Sequence, residues 1–417
     1  MKEGSMATNE IIAGLDIGTT KIGVIIGEVD AHNSANIIGV GIHPSDGLRR
    51  GVVINLDKTV RSIEKAVEAA ELMAGINIDS VYAGIAGDHI RSLNSRGVVA
   101  VGRSDNEITQ EDMRRAFDAA KAIALPMDRE IIHVIPQEYI VDEQSGIREP
   151  LGMSGVRLEV DAHIVTGAIT SAQNIYKAVQ RTGLKVRDLV LEPLASSYAV
   201  LNDDERELGV ALLDIGGGTS DIALFYEGTI RHTSVIGLGG KNITNDIALG
   251  LRTPIEQAES IKIDYGSAFQ QGISEDEIIE VPGVGGRESR QVSRSVLASI
   301  IQPRVEEIFY LVLREMKRSD YFDLLTCGLV ITGGTAMLDS IVELAEQVFD
   351  MPVKIGYPIG FGGLKDAVKN PSFATGVGLI QYGIKHREKN NLLFHGDDTQ
   401  LFDSIFARMK QWIKEFF

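Results

Sequence analysis

The sequence carries a single cysteine, Cys327, so an internal disulfide is excluded and a reducing cytosol suits the chain. The surroundings of that residue, "LLTCGLVITGG", are apolar and read as a site for a buried small side chain rather than a nucleophile. The eight histidines are scattered, with no pair at metal-ligand spacing, and His133 and His163 lie in strand-like runs that read as packed. Aromatic residues make up 6% of the chain, too dispersed for a stacking platform. No stretch reaches the roughly 18 uncharged apolar residues of a membrane span. The longest uncharged runs, Leu324 to Leu338 and Asn370 to Ile384, carry Gly, Thr or Asn and read as core. No apolar run of signal-peptide length precedes the first strand-like segment. Positive charge is in deficit: 41 Lys and Arg stand against 58 Asp and Glu, and a net charge of −17 repels phosphate backbones, which excludes nucleic acid as an expected partner. Proline is sparse, 11 residues against 44 glycines, a ratio that points to tight turns and close backbone approaches. A chain of 417 residues exceeds one small core and implies roughly two to four domains or subdomains.

What is present begins with a repeat. "IAGLDIGTTKIGVIIGEV", residues 12 to 29, is echoed by "GVALLDIGGGTSDIALFYEG", residues 209 to 228. Each has an apolar strand, Asp-Ile-Gly, small residues and a second β-rich run, and so reads as a β-hairpin with a glycine turn. The second turn is longer by one residue. Repetition of so complex a unit implies two similar halves facing each other.

The chemistry of both turns suits phosphate. Gly18, Gly216, Gly217 and Gly218 let backbone N–H groups converge on an anion without Cβ clashes. Thr19, Thr20, Thr219 and Ser220 add hydroxyl donors, and Lys21 offers a point charge to a β- or γ-phosphate. Asp16 and Asp214 stand at the strand ends, one in each half, placed to hold Mg²⁺ through its waters. Two ordinary Asp-Gly hairpins are the plain alternative. A third glycine site weighs against it: in "GLVITGGTAML" a buried strand runs into Gly333, Gly334 and Thr335, and a helical pattern follows from Met337. Such an arrangement can receive a base or ribose on bare backbone. Neither G-x-x-x-x-G-K-[ST] nor a G-x-G-x-x-G after a strand occurs. Between the halves, "LVLEPLASSYAVL" ends a strand at Glu192 and opens a helix at Pro193. Glu192 is placed either to orient an attacking water or simply to sit at a favourable helix N-terminus.

Asp16-x-Gly-Thr-x-Lys, Glu192-Pro, Asp214-x-Gly-Gly-Gly-Thr and Gly333-Gly334 occur in the order of the actin-like ATPase superfamily, and the resemblance covers residues 12 to 384. It implies an α/β, actin-like (ribonuclease H-like) fold of two halves with ATP or ADP and Mg²⁺ in the cleft. Within the superfamily the chain resembles the FtsA family of bacterial cell-division proteins. "HVIPQEYIVDEQSGIREPLGMSGVRLE", "ASSYAVLNDDERELGV", "GLGGKNITNDIA", "VPGVGGRESR" and the C-terminal stretch carry that closer match. The resemblance implies a first core half over 10–84 and 163–195, an inserted small α+β subdomain over 85–162, a second core half over 196–227 and 305–384, and its small subdomain over 228–304. It adds Gly239, Gly240 and Asn242 to the nucleotide residues.

In the insert, Thr109 to Ala122 patterns as an amphipathic helix with Thr109-x-x-Asp112 resembling a capping box. Ile131 to Val134 and Leu158 to Val165 read as strands. No catalytic constellation appears there, so the region reads as a binding or assembly module, a place for other division proteins. In "TPIEQAESIKIDYG" a helix opens at Pro254, and Glu259 and Lys262 share one face. The resemblance makes that pair ligands of the adenosine ribose; a surface ion pair is the alternative. Arg287, Arg290 and Arg294 form a local basic cluster on an acidic chain, a dock for an acidic or carboxylate-ended peptide. The resemblance makes this subdomain the receptor for the C-terminal tail of FtsZ, extended to Arg294 and Arg304.

Residues 385–400 show no clean period and read as a flexible linker with a reach of roughly 20 Å. In 401–417, Leu401, Phe402, Ile405, Phe406, Met409, Trp412, Ile413, Phe416 and Phe417 fall on one helical stripe. A helix of this length spans roughly 25 Å, short of the roughly 30 Å hydrocarbon core, and so is expected to lie in an anionic membrane surface. Packing on the chain's own body or on a partner helix are the alternatives. The combined expectation is an ATP-binding adaptor, peripheral on the inner face of the membrane, with at most slow ATPase activity, that anchors FtsZ and self-assembles into filaments. A small-molecule kinase or a pilus-assembly relative on the same fold are the rivals; neither accounts for the apolar stripe.

Overall fold

The structure is a computed structural model that describes residues 10–102 and 105–393, with side chains described only as far as residue 386 within the last helix. The apolar stripe of 401–417, with Phe402, Ile405, Phe406, Met409, Trp412, Ile413, Phe416 and Phe417, therefore lies outside the described residues.

The chain opens with β1 (Glu10–Ile17) and β2 (Lys21–Val29), an antiparallel hairpin in the register Ile17 to Ile22 and Asp16 to Gly23. β3 (Ala35–Pro44) continues the meander, the short pair β4 (Leu48–Arg49) and β5 (Val52–Val53) follows, and α1 (Leu56–Ala74) crosses back to β6 (Ser80–Ile85). Helix α1 is capped by the Asn55 side chain at its start and stops at Gly75, whose φ of 70° suits only a left-handed end. It lies so close to β3 that a Cβ on Gly41 would come within 1.9 Å of the Ala66 carbonyl, so that glycine is a packing requirement.

The chain then leaves the sheet. β7 (Arg91–Ala100), α2 (Gln110–Lys121), β8 (Arg129–Val141), β9 (Gln144–Ile147) and β10 (Arg157–Ala168) form a separate four-stranded sheet in the order β7-β10-β8-β9, with α2 on one face. α2 has the reciprocal Thr109/Asp112 capping box that its sequence implies. β10 runs on to Ala168, six residues beyond the expected end of the insert at 162. The chain returns through α3 (Ile169–Arg181) to β11 (Lys185–Leu191) and α4 (Glu192–Val200).

The second half begins with α5 (Asp203–Leu208), then β12 (Val210–Ile215), β13 (Ser220–Tyr226) and β14 (Thr229–Ile236). Its small subdomain comprises α6 (Gly240–Leu251), α7 (Ile255–Tyr265), β15 (Ile278–Val281), β16 (Arg290–Ser293) and α8 (Arg294–Lys317). Because β14 pairs along β13 in the core sheet, residues 229–236 belong to the core and not to the small subdomain expected from residue 228. β17 (Leu329–Thr332), α9 (Ile341–Phe349) and β18 (Val353–Ile355) complete a sheet in the order β14-β13-β12-β17-β18. The helix expected from Met337 starts later: Gly334–Met337 is a single 3₁₀ turn, and α9 begins after Ser340, held at φ 55°.

The last segments correct the expected division of the chain. β19 (Phe361–Gly363) pairs in parallel with β3, giving the first sheet the order β11-β6-β1-β2-β3-β19, and α10 (Ala374–Leu393) packs on that sheet and on α4. Residues 361–384 therefore sit with the first half, not with the second. The physical reason is glycine: Gly14 and Gly376 meet where a Cβ on Gly14 would lie 2.8 Å from the Gly376 carbonyl, and a Cβ on Gly378 would lie 1.9 Å from that of Ala195. The helix also runs nine residues into the stretch read as linker from 385.

Two apolar cores result: one joins the first sheet to one face of the second through Leu212, Phe225 and Val330, and the other lies on the opposite face of the second sheet, with a smaller third inside the insert. Among the described residues, no helix is long and apolar enough to cross a membrane. Cys327 is half-buried against the first core, and His133 and His163 are buried, the latter bridging Asn94 and Thr233.

Candidate functional site

The two glycine hairpins meet tip to tip across the cleft. Each tip is fixed by its ladder: β1 and β2 close at Ile17 and Ile22 and leave the four residues 18–21, β12 and β13 close at Ile215 and Ser220 and leave the four residues 216–219, so the two turns are equal in length and the second is not longer by one residue. The approach is close enough that a Cβ on Gly217 would lie 1.8 Å from Thr20 Oγ1, and one on Gly218 would lie 2.6 Å from Thr19 Oγ1. A side chain at either position requires the facing threonine to shift. The third glycine turn completes the wall. Gly333 sits at φ 87°, and a Cβ there would meet Asp214 Oδ1 at 2.4 Å, while the Thr335 hydroxyl donates to the Gly216 carbonyl at 3.2 Å.

A cavity of about 360 Å³ lies between these turns. It is lined by Asp16, Gly18, Thr19, Thr20, Lys21, Glu192, Asp214, Gly216, Gly217, Gly218 and Thr219, and further out by Gly240, Glu259, Lys262, Gly333, Gly334, Thr335 and Met337. Of the residues singled out for nucleotide, Gly239 and Asn242 stand outside this lining. They cap α6 instead: the Gly239 N–H donates to Asn242 Oδ1 at 3.1 Å, and the Gly240 and Lys241 N–H groups donate to the Gly216 and Gly217 carbonyls.

Four carboxylates converge at the back. Asp16 and Asp214 are buried; burial pushes both up to about 6, with Lys21 pulling Asp16 down and Asp16 pushing Asp214 further up. Asp221 faces Asp214 across the β12–β13 pair and is pushed up to about 8, by burial first and by Asp214 second. Glu192 is raised well above its usual range by burial, and then by Asp16, Asp221 and Asp214. Lys21 is the cation within this group: its Nζ donates to Ser372 Oγ at 2.9 Å and stands 4.0 Å from the centre of the Phe373 ring. Burial lowers its pKa against the pull of Asp16 and Asp214.

At the outer end, Lys262 donates to both Glu259 oxygens at 2.8 Å and to Thr244 Oγ1 at 2.9 Å, and Glu259 also accepts from Thr244. The pair is thus part-buried and networked rather than a surface ion pair. Arg294 and Arg304 lie apart from the cavity. Arg294 is bound to Glu277 and Asp339 at 2.9 and 2.7 Å, and Arg304 to Asp246 at 2.6 Å and to Glu307. Any peptide carboxylate has to compete with those internal partners.

Comparison with known proteins decides the family. A chain from Pseudomonas aeruginosa described as "Cell division protein FtsA" is 48% identical over 98% of this chain and 99% of its own. Relatives of the same description from Neisseria meningitidis and Escherichia coli K12 are 50% and 40% identical over 97% and 98% of this chain, and each is covered over 98% of its length. The chain belongs to the FtsA family of cell division proteins. The family model of that description matches residues 211–378, and the model "SHS2 domain inserted in FTSA" matches 87–166, which is the four-stranded sheet with α2. Among solved structures, a type IV pilus biogenesis complex of PilM and PilN aligns with TM-score 0.64 at 16% identity, over 89% of this chain and 98% of that one. MreB5 of Spiroplasma citri bound to ADP aligns with TM-score 0.57 at 14% identity, over 92% and 99%. These likenesses make the FtsA fold an actin-like one with an inserted subdomain.

Reading the sequence missed four residues of the FtsA cleft. Asp221 is the third buried aspartate of the cleft, beside Asp16 and Asp214; its signal was the Asp214-x₆-Asp221 spacing, which across a four-residue turn puts both side chains on one face of the hairpin. Lys241 bridges the halves, its Nζ donating to the Thr19 carbonyl at 2.7 Å. Ser372 and Thr375 arrive with α10, and the Thr375 hydroxyl donates to Asp214 Oδ2 at 3.3 Å; no local pattern in "NPSFATG" points to them.

The residues present fit a nucleotide and a water-bridged cation. Buried carboxylates held above their ordinary range are stabilised in their ionised form by a positive charge. No group of three or more His, Cys, Asp or Glu among the described residues is arranged to hold a metal directly. The buried Asp16 and Asp214 carboxylates, one from each half, are oxygen donors of the kind that meets a hard, reluctantly dehydrated Mg²⁺ through its waters.

Proposed function

We propose that the chain is an ATP-binding, actin-like adaptor that anchors FtsZ filaments to the inner face of the cytoplasmic membrane in cell division and assembles into filaments with itself. The observation that carries the nucleotide part is the meeting of two glycine tips, one from each half, over four carboxylates and one lysine. The phosphates of ATP or ADP would rest on the N–H groups of both tips, with Thr19, Thr20, Thr219 and Lys21 as further donors. The ribose would meet Glu259 and Lys262, and the base the bare backbone of Gly333, Gly334 and Thr335 beside Met337. Mg²⁺ held through waters at Asp16 and Asp214 would supply positive charge against the phosphates.

Glu192 supports slow turnover at most. Burial first, and then Asp16, Asp221 and Asp214, favour the neutral form of Glu192, and only the ionised form accepts a proton from an attacking water. Because the ligand would bridge the halves, its binding couples to their closure, and hence to contacts between successive subunits.

Membership of the FtsA family and the apolar stripe of 401–417 support the adaptor part. Burying nine apolar side chains halfway is worth on the order of 8 kcal/mol before ordering costs. The small subdomain around Arg294 and Arg304, with its local cluster of Arg287, Arg290 and Arg294, is the proposed receptor for the FtsZ tail, and the inserted subdomain the surface for other division proteins. The test is flotation of purified FtsZ with this chain and anionic liposomes, with Trp412 emission read in parallel. FtsZ is expected to float only when the chain is present, with a blue shift of Trp412, and Ile413→Glu is expected to abolish both. If the chain floats and FtsZ stays behind, the adaptor reading fails. If Trp412 ignores liposomes, the membrane reading fails.

A further inference from the structure

A second cavity, of about 560 Å³, shares no lining residue with the cleft and opens where the insert meets the second half. Its walls are the start of β7, the far end of β14 and one face of α8. β14 is an edge strand, and the insert docks on it through side chains rather than a backbone ladder. Ser92 Oγ donates to the Thr233 carbonyl at 2.8 Å, Asn94 Nδ2 to that of Arg231 at 3.4 Å, and Gln137 Nε2 to that of Ile230 at 3.0 Å. Beyond Thr233 this docking stops and the cavity begins. By the alternation of a strand, Val235 turns its backbone polar groups toward the same edge.

The side chains around the cavity are basic. Arg91 comes from the insert, where its Nη1 donates to the Asp88 and Ile90 carbonyls at 2.7 and 2.6 Å, and Arg314 and Arg318, four residues apart, come from the last turn of α8 and its C-cap. Glu315 is the one acidic residue of the lining; it pairs with Arg318 at 2.9 Å and lies 3.9 Å from Arg314. Three guanidinium groups against one carboxylate leave a formal charge of +2 on a chain whose total is −17. The Arg314 and Arg318 side chains are 63% and 67% exposed, so both can turn inward onto a ligand. The floor adds polar groups: Ser234 lines it, and the buried His232 Nε2 has no hydrogen-bond partner. Guanidinium groups from two elements around one cavity offer more donors and more positive charge than a single carboxylate uses, which suits a multiply charged oxyanion such as phosphate. The volume falls in the range of small-ligand sites.

We propose that this cavity binds a small, soluble phosphate-bearing anion at the junction of insert, β14 edge and α8. The ligand would join the insert, which is carried by the first half, to the second half at a point outside the nucleotide cleft. The inference does not depend on the nucleotide reading of that cleft.

The test uses the full chain and inorganic tripolyphosphate, followed by ³¹P line broadening and by Tm at constant ionic strength. Three proteins are compared: the unaltered chain, Arg314→Ala/Arg318→Ala, and Gly217→Val, in which the added side chain obstructs the cleft. Saturable broadening and a Tm rise of a few degrees are expected for the unaltered chain and for Gly217→Val, with affinity at least tenfold weaker in the double arginine variant. Both arginines are exposed on α8, so their loss leaves the fold intact. Binding that vanishes in Gly217→Val and persists in the arginine variant places the anion in the cleft and overturns the proposal. Absence of saturable binding overturns it too, as does equal binding in all three proteins.

Discussion

Asp221→Asn is the substitution through which the physics of the cleft can be measured. Asp221 is 2% exposed, and its carboxyl is pushed from the ordinary value of 3.8 up to about 8. A carboxyl that binds its proton more tightly folded than unfolded makes stability fall as pH rises. Below pH 4 both states are protonated and nothing is lost; between about 4 and 8 the folded state holds a proton that the unfolded chain releases. At pH 7 the gap is roughly 3 units at 1.36 kcal/mol each, or about 4 kcal/mol carried by the fold. Because Asp221 shares this burden with Asp214 and Glu192, the expected gain from removing it is about 2–4 kcal/mol. Asn presents two N–H donors where a protonated carboxyl presents one, in a place where Asp221 Oδ1 has no partner, and this cost sets the lower end of that range. Urea unfolding of the nucleotide-free chain at pH 4, 7 and 8.5 reads the effect. The variant is expected to unfold at higher urea at pH 7 and 8.5, to match the unaltered chain near pH 4, and to show a flatter profile between. Equal midpoints at pH 8.5, or parallel profiles, would refute the account of a strained carboxylate cluster.

Two further outcomes follow from close contacts at glycine. Gly217→Val drives a side chain into Thr20, and the affinity for a fluorescent ATP analogue is expected to drop at least tenfold, about 1.4 kcal/mol, with the circular dichroism spectrum unchanged; an unaltered affinity would disconnect the hairpin tips from nucleotide. Gly378→Ala forces a methyl to within 1.9 Å of the Ala195 carbonyl between α10 and α4, and is expected to cost about 3 kcal/mol or more in urea unfolding; a change under about 0.5 kcal/mol would mean the two helices part freely.

Local chemistry along the chain determined a good deal by itself. Each hairpin, with Asp16 or Asp214 at its strand end, is a short-range object whose turn glycines and strand alternation are written in consecutive residues. The same holds for the capping box of α2 and for Glu192 at the β11–α4 junction, where Pro193 forces a helix start. What tertiary structure alone decided are the pairings across long sequence separation. Asp221 became the third buried aspartate only once the register placed it opposite Asp214. β19 and α10 joined the first sheet because Gly14, Gly376 and Gly378 allow helix and strand to touch, a requirement no sequence period records. Ser372 and Thr375 reach Lys21 and Asp214 across 351 and 161 residues, and Arg91 meets Arg314 and Arg318 around one cavity only because the insert docks on the β14 edge. Local propensity sets turns and caps through neighbours a few residues away. Burial, charge convergence and close backbone approach depend on which surfaces the whole chain brings together.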